Sequence, residues 1–400
     1  MIKLSTDSLF FFAFLALGPA ALRWGGKYRK YIFLVLNLVV FALSMTDHTQ
    51  AVTAAVWILA PYFLAPLAGR RSWGRPLLIG LMVAAFAWLM HYGFVTDVLR
   101  IPALFSWRIL GLSYFLFRQI DFIMQYDYLR EEDVAITFVD YLNYLLSFYT
   151  LLAGPILRYQ EFTEDFYRPA QPLEKEEIFS GLNRAVNGYI KIYVFSAICG
   201  FYAQQWFDGL GHHSGPLQTA AAFFVFALLN GWYIYFNFSG YCDIVIAFAG
   251  LAGLTVHENF NRPYLARSVV EFWNRHHITL SEWIRDYIYS PLFKALISGP
   301  FGKNVQAGQY LALFVTFTVA GIWHGTDANY LIYGLFQGLG IVVATAFKAW
   351  RKKHLSKERN KAWEKSRPLT YLGRCITWSY ICLTFSFVGY DVAGLISAGL

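Results

Sequence analysis

The sequence predicts an all-α, polytopic membrane protein, and three observations carry that prediction. Hydrophobic residues make up 57% of the 400-residue chain and charged residues only 14%, against about 25% charged in a soluble domain. Apolar runs long enough to cross a hydrocarbon core recur along the whole length. The connections between them are short and basic. A core about 30 Å thick takes roughly 20 apolar residues per helix, so the chain has room for roughly ten to twelve crossings and for no large soluble domain. The mean hydropathy of +0.41 agrees, and one integral-membrane domain over residues 1–400 is the organisation expected.

The first apolar run, 8–24, follows a single lysine and is succeeded at once by another run, so it reads as a retained helix rather than a cleaved signal. Runs at 31–46, 51–69, 76–94, 104–122 and 135–157 follow, then 187–207, 217–236, 241–255, 307–325, 329–349 and 369–387. The run at 241–255 and the end of its predecessor are weak spans. Gly231 to Gly250 contains Asn237, Ser239, Gly240 and Asp243, and irregular backbone at membrane depth survives only where protein or trapped water satisfies it. That segment is expected to line a cavity. Between Gln160 and Ile190 the chain turns polar. There Leu173-Glu-Lys-Glu-Glu-Ile-Phe-Ser-Gly-Leu182 carries apolar positions at helical spacing and predicts an interfacial amphipathic helix. A similar place, under or within the bundle, suits Tyr264 to Pro291, rich in Trp, Tyr, Arg and His.

The net charge of +8 does not point to nucleic acid, because the basic residues lie in the connections. Lys27, Arg29 and Lys30 follow the first span, Arg70, Arg71 and Arg75 follow the third, and 351–367 holds eight Lys or Arg against two Glu. By the positive-inside rule these loops are cytoplasmic and the N-terminus lies outside, in a multi-pass protein of the cell (inner) membrane. Such a face also attracts anionic lipid headgroups or an acidic partner. The four cysteines are scattered without paired spacing, which argues against a disulfide framework or a zinc site. His212 and His213 have no third ligand in the sequence pattern, so no metal is expected.

Two polar islands stand out against this background. Phe314-Val-Thr-Phe-Thr-Val-Ala-Gly-Ile-Trp-His-Gly325 places His324 in an otherwise apolar segment, where a titratable side chain is costly. Flanked by Trp323 and Gly325, this imidazole suits a general base that takes a hydroxyl proton while the oxygen attacks a thioester carbonyl; a helix-packing histidine is the competing reading. The second island is Glu271-Phe-Trp-Asn-Arg-His-His-Ile-Thr-Leu-Ser-Glu-Trp-Ile-Arg-Asp-Tyr287. Adjacent residues of a helix point about 100° apart, so only one of His276 and His277 is expected to line a site. His277 can orient the acceptor or stabilise the carbonyl oxygen, with Asn274, Arg275, Arg285 and Asp286 fixing the segment; an interfacial aromatic and basic belt explains the same residues. The sequence contains no phosphate-binding loop, dinucleotide fingerprint, Gly-x-Ser-x-Gly elbow or His-Glu-x-x-His helix.

These residues together resemble the membrane-bound O-acyltransferase (MBOAT) family, in its bacterial branch of teichoic-acid D-alanyl transfer and alginate or peptidoglycan O-acetylation. Gly154-Pro-Ile-Leu-Arg-Tyr159 is similar to a Gly-Pro-Ile-x-Arg signature, and Asn237-Phe-Ser-Gly-Tyr-Cys-Asp243 to a Gly-Tyr-Ser/Cys-Asp segment. Asn259-Phe-Asn-Arg-Pro-Tyr264 resembles an Asn-Phe-Asn-x-Pro loop, and the islands around His277 and His324 match the family's two histidine blocks. The resemblance implies His324 and His277 as catalytic residues. It places Asn274, Arg275, Trp323, Asp243 and Asn237 at the substrate. It also implies a ring of tilted helices around a central funnel, with interfacial amphipathic helices. No bound cofactor is expected. The donor would be an acyl thioester, either the phosphopantetheine of an acyl carrier protein or acyl-CoA, arriving from the cytoplasmic side. The acceptor would be a hydroxyl of an envelope polymer, or an accessory extracytoplasmic transferase. Two positions depart from the pattern: His276 stands where Trp is usual, and Gln337 where many members have His. Gly111-Leu-Ser-Tyr-Phe-Leu-Phe-Arg118 leans toward the D-alanyl-transfer members and Tyr287-Ile-Tyr-Ser-Pro-Leu292 toward the acetyltransferases. The competing readings are a lipid or protein acyltransferase, which needs a long hydrophobic slot, and a transporter or flippase, which the lack of internal repeats disfavours.

Overall fold

The computed structural model of the chain describes residues 9–44, 51–90, 92, 111–168, 172–212 and 215–397. Among the described residues the backbone is helical nearly throughout, with no strand and a single isolated bridge between Phe260 and His276. The protein is an all-α polytopic membrane protein. Four described helices are long and apolar enough to cross a membrane: Ala51–Ala68, Pro216–Leu251, Val305–His324 and Ala328–His354. The expected crossing at 104–122 lies partly outside the described residues, and His213 lies outside them altogether.

The chain forms two compact units, the first running up to Tyr189 and including Tyr241–Glu258, the second comprising Ile190–Gly240 and the chain from Asn259 onward. The first contains α1 (Leu9–Trp24), α2 (Arg29–Ser44), α3 (Ala51–Ala68), α4 (Gly74–Leu89), α5 (Leu112–Glu131), α6 (Phe138–Leu146), α7 (Tyr159–Tyr167) and α8 (Lys175–Ile190). Its core is stapled by buried polar groups rather than by apolar packing alone. The Arg118 guanidinium donates to the carbonyls of Tyr144 (3.1 Å) and Leu145 (2.6 Å) and to Thr150 Oγ1 (2.5 Å). One turn on, the buried Asp121 carboxylate accepts from Arg158 (3.1 Å), the Tyr159 backbone N–H (2.9 Å) and the Tyr144 hydroxyl (3.0 Å). The Gly-Pro-Ile-Leu-Arg-Tyr motif therefore serves to bring Arg158 and Tyr159 onto Asp121. It also corrects the expected crossing at 135–157. The helix α6 stops at Leu146, and Gly154, with φ +79°, followed by a proline without an N–H, turns the chain instead.

The interfacial helix expected near 173 is α8. Phe179, Leu182, Val186 and Ile190 are exposed along it, an unpartnered apolar stripe of the kind that lies in a bilayer interface. It continues through a π-helical turn at Lys191–Ser196 into α9 (Ala197–Asp208). The two expected spans at 217–236 and 241–255 are one helix, α10 (Pro216–Leu251). No proline follows Pro216 until Pro263, and Ser239 and Gly240 alone do not break a helix set between apolar flanks. The irregular backbone expected there is absent.

The second unit holds α11 (Val269–Trp273), α12 (Ile278–Ile284), α13 (Ser290–Ser298), α14 (Val305–Trp323), α15 (Ala328–His354), α16 (Lys357–Lys365), α17 (Arg367–Phe385) and α18 (Val392–Ser397). Phe226, Phe272, Trp273, Tyr333, Ile381 and Phe385 form its buried core. Helices α14 and α15 approach closely enough that a Cβ built on Gly321 would stand 2.2 Å from Gly334 Cα, and one on Gly338 would stand 2.8 Å from the Phe314 carbonyl oxygen. Small residues at such a crossing let backbones touch where lipid offers no hydrophobic drive to association.

Candidate functional site

The second histidine block is not one helix. Its first part, α11, starts at Ser268, whose hydroxyl accepts from the Glu271 N–H, and ends at Trp273. The next helix starts at His277, whose φ of +50° lies in the left-handed region. A non-glycine residue held there costs about 1–3 kcal/mol and is kept by its surroundings. Those surroundings are the loop from Asn259. The Asn259 carbonyl accepts from Ile278 N–H (3.1 Å), and the Arg275 carbonyl from Asn261 N–H (2.9 Å). The break overturns the premise that only one of the paired histidines can turn inward. Both are buried, His276 at 5% and His277 at 4% exposure.

The tautomer of His277 follows from its neighbour. Asn259 Oδ1 accepts from the Thr279 backbone N–H (3.1 Å) and hydroxyl (2.9 Å). A backbone N–H can only donate, so the oxygen assignment is forced. His277 Nδ1 lies 3.4 Å from the same oxygen and must therefore carry the proton, leaving Nε2 as a bare acceptor. Phe238 closes one side of the ring, 4.7 Å away and edge-on.

His276 stacks on Phe272 at 4.8 Å and meets Phe260, Trp273 and Phe385 at 5.0, 5.6 and 5.5 Å. Neither of its ring nitrogens has a hydrogen-bond partner among the described residues. Burial first, then the nearby His324, pushes His276 down to about 3. Burial, with His276 and then His324 adding, holds His277 well below the ordinary imidazole range. Both histidines lie outside the four spanning helices and are neutral near pH 7.

His324 closes α14, its N–H donating to the Gly321 carbonyl (3.0 Å). The residue is exposed, with its ring between Trp323 at 4.5 Å and Tyr333 at 5.6 Å. Tyr333 in turn lies 5.8 Å from Phe385, which lies 5.5 Å from His276, so His324 and His276 share one aromatic frame. Gly325 is needed beside the base: a Cβ there would stand 2.1 Å from the Tyr330 ring.

The other residues singled out by sequence fall in different places. Arg275 is tied to Glu271 (2.9 Å) and the Asn261 carbonyl (3.3 Å), a clamp on the turn. Asn274 is exposed beside it, and Asn237 is half-buried on α10. Asp243 belongs to the first unit, where Arg184 bridges it (3.0 Å) to Glu258 (2.6 and 2.7 Å). Trp273 and Trp283 are buried, which sets aside the interfacial-belt reading for them. Gln337 accepts from the Trp273 indole N–H (3.2 Å) and donates to Thr384 Oγ1 (2.6 Å), buttressing the turn from behind. Asn259 is the residue that sequence reading undervalued. Its motif loop was the visible signal, but the pairing with His277 spans 18 residues, helix α11 among them.

Comparison with known proteins adds three findings. A model of the MBOAT, membrane-bound O-acyltransferase family matches residues 30–388. The chain is 30% identical over 288 residues to a teichoic acid D-alanyltransferase of Streptococcus thermophilus, covering 69% of this chain and 67% of that one. It is 28% identical over 364 residues to the probable alginate O-acetylase AlgI of Pseudomonas aeruginosa, covering 86% and 66%. The chain thus spans about two thirds of the length of these relatives.

Proposed function

Because the chain belongs to the membrane-bound O-acyltransferase family, we propose that it moves a small acyl group, D-alanyl or acetyl, from a thioester donor to a hydroxyl of a cell-envelope polymer. The observation that carries this reading is the imidazole of the exposed His324 at the end of an apolar helix, in electrostatic reach of two buried neutral imidazoles. His324 and His277 are the catalytic pair. His324 takes the proton of the acceptor hydroxyl as its oxygen bonds to the thioester carbonyl carbon. The carbonyl π pair moves onto oxygen. On collapse the C–S bond breaks, and the thiolate leaves with the proton from His324. His277, with Nε2 bare, accepts a hydrogen bond from a second donor group of the acceptor and so orients it, while the one proton of the reacting hydroxyl goes to His324. Trp323 walls the base. Asn274 and Asn237 offer amides to the substrate, while Arg275 holds the turn that carries the paired histidines.

The donor is an acyl carrier protein's phosphopantetheine or acyl-CoA on the cytoplasmic face of the inner membrane. The acceptor is the polymer or an extracytoplasmic transferase that relays to it. The relatives named for teichoic acid D-alanylation and alginate O-acetylation support both acyl groups equally. Mass spectrometry of envelope polymers from cells carrying the intact chain or His324→Ala, at matched membrane levels, tests the reading. Loss of an ester increment of about 71 Da identifies D-alanyl transfer and of about 42 Da acetyl transfer, both set by ester chemistry. An unchanged polymer with the variant fully active removes the proposal and brings lipid acylation forward.

A further inference from the structure

The collapse of a thioester needs a donor for the oxygen that becomes negative, and the two catalytic histidines leave that place open. His277 offers a lone pair rather than an N–H toward the substrate, because its one proton is committed to Asn259. His324 is the base and gains its proton only during the step. His276 remains. A neutral imidazole carries one N–H and one lone pair, and both of its nitrogens are buried without a partner among the described residues. Leaving a buried polar group unmet costs about 1–3 kcal/mol, and a phenyl ring in the same stack on Phe272 would incur none of it. The cost makes sense where the missing partner arrives with the substrate.

We propose that His276 is a further catalytic residue, its ring N–H donating to the thioester carbonyl oxygen as the tetrahedral intermediate forms. The aromatic frame of Phe260, Phe272, Trp273 and Phe385 fixes the ring and excludes water, so the donor is already oriented when charge develops and is strong in the low-dielectric surroundings. His276 remains neutral while His324 carries the proton, since a cation on His324 disfavours a second one beside it. The inference rests on the reading of His324 as the base.

The test uses the purified full chain with D-alanyl- and acetyl-pantetheine as donors, following thiol release and acyl transfer. His276→Phe removes the N–H and is expected to lower kcat by about 10²–10³, the range for loss of one such donor, with KM changed less than threefold. His276→Trp and His276→Asn each restore an N–H and are expected to recover at least tenfold of that loss. His276→Phe is also expected to unfold at the same or a higher temperature, since it removes two orphaned nitrogens; His276→Leu serves as a second apolar variant. Equal activity of the Phe and wild-type chains, or equal loss in the Phe, Trp and Asn chains, overturns the proposal. His324→Ala separates this failure from that of the underlying reading. If it stays active, the base assignment falls. If it is dead while His276→Phe is unimpaired, only the oxyanion role falls.

Discussion

Replacing Gly321 by alanine tests whether the crossing of α14 and α15 sets the position of the reacting imidazole. The new methyl would lie 2.2 Å from Gly334 Cα, 2.5 Å from Gly334 N and 2.8 Å from the Tyr330 carbonyl oxygen. Carbon atoms in good contact sit about 3.5–4.0 Å apart, so the two helices must part by about 1 Å or more. Every nearest atom belongs to backbone, which has no rotamer to escape into. The cost therefore belongs at the upper end of the about 1–3 kcal/mol seen on overpacking. For a unit of this size that corresponds to a fall in melting temperature of about 6–12 °C. His324 lies on the same rigid helix end, and a displacement of about 1 Å can cost about 10²-fold in rate. Tryptophan-fluorescence melting in detergent gives the first quantity, and thiol release from an acyl-pantetheine gives the second. Gly80→Ala in α4 is the control, because nothing lies within 4 Å of its built Cβ; it is expected to leave stability unchanged or raise it by up to about 1 kcal/mol. A Gly321→Ala chain as stable and active as that control would refute the argument.

Asn259→Ala strips the acceptor from the Thr279 N–H, the Thr279 hydroxyl and His277 Nδ1; a loss of about 1–3 kcal/mol is expected, with activity falling further than stability because the His277 tautomer is no longer fixed, and unchanged kcat in a folded variant would rule this out. Stability should also follow pH: with folded values for His276 and His277 below the free value near 6.5, the unfolded chain binds more protons, so stability is full above about pH 6.5 and declines below it by about 1.4 kcal/mol per pH unit for each histidine. Melting temperatures at pH 7.5, 6.5 and 5.5 measure the slope; His276→Phe should lower it by one histidine's share, about 1.4 kcal/mol per pH unit, and a flat profile in the parent chain contradicts neutral burial.

What the sequence makes legible here is whatever a one-dimensional pattern encodes. Apolar runs of spanning length, basic connections and the amphipathic spacing around Phe179 and Leu182 each have a period or a composition, and α8, α14, α15 and α17 stand where those patterns put them. His324 was visible because a titratable residue in an apolar run violates its own surroundings. Where the reading failed, local chemistry and long-range support gave opposite answers. Asn237, Ser239 and Gly240 weaken the hydropathy of α10 without breaking it, since hydropathy measures transfer to lipid and not the continuity of backbone hydrogen bonds. Conversely, His276 and His277 look like consecutive helical positions, and only the Asn259 loop, 18 residues upstream of His277, holds the left-handed turn that lets both face inward. A strained residue kept in place by distant hydrogen bonds has no local signature, because its cost is met by partners that sequence spacing does not reveal. That is also why the unpartnered nitrogens of His276 could not be foreseen: a neighbour's identity is written in the chain, but the lack of one is a property of the packed turn.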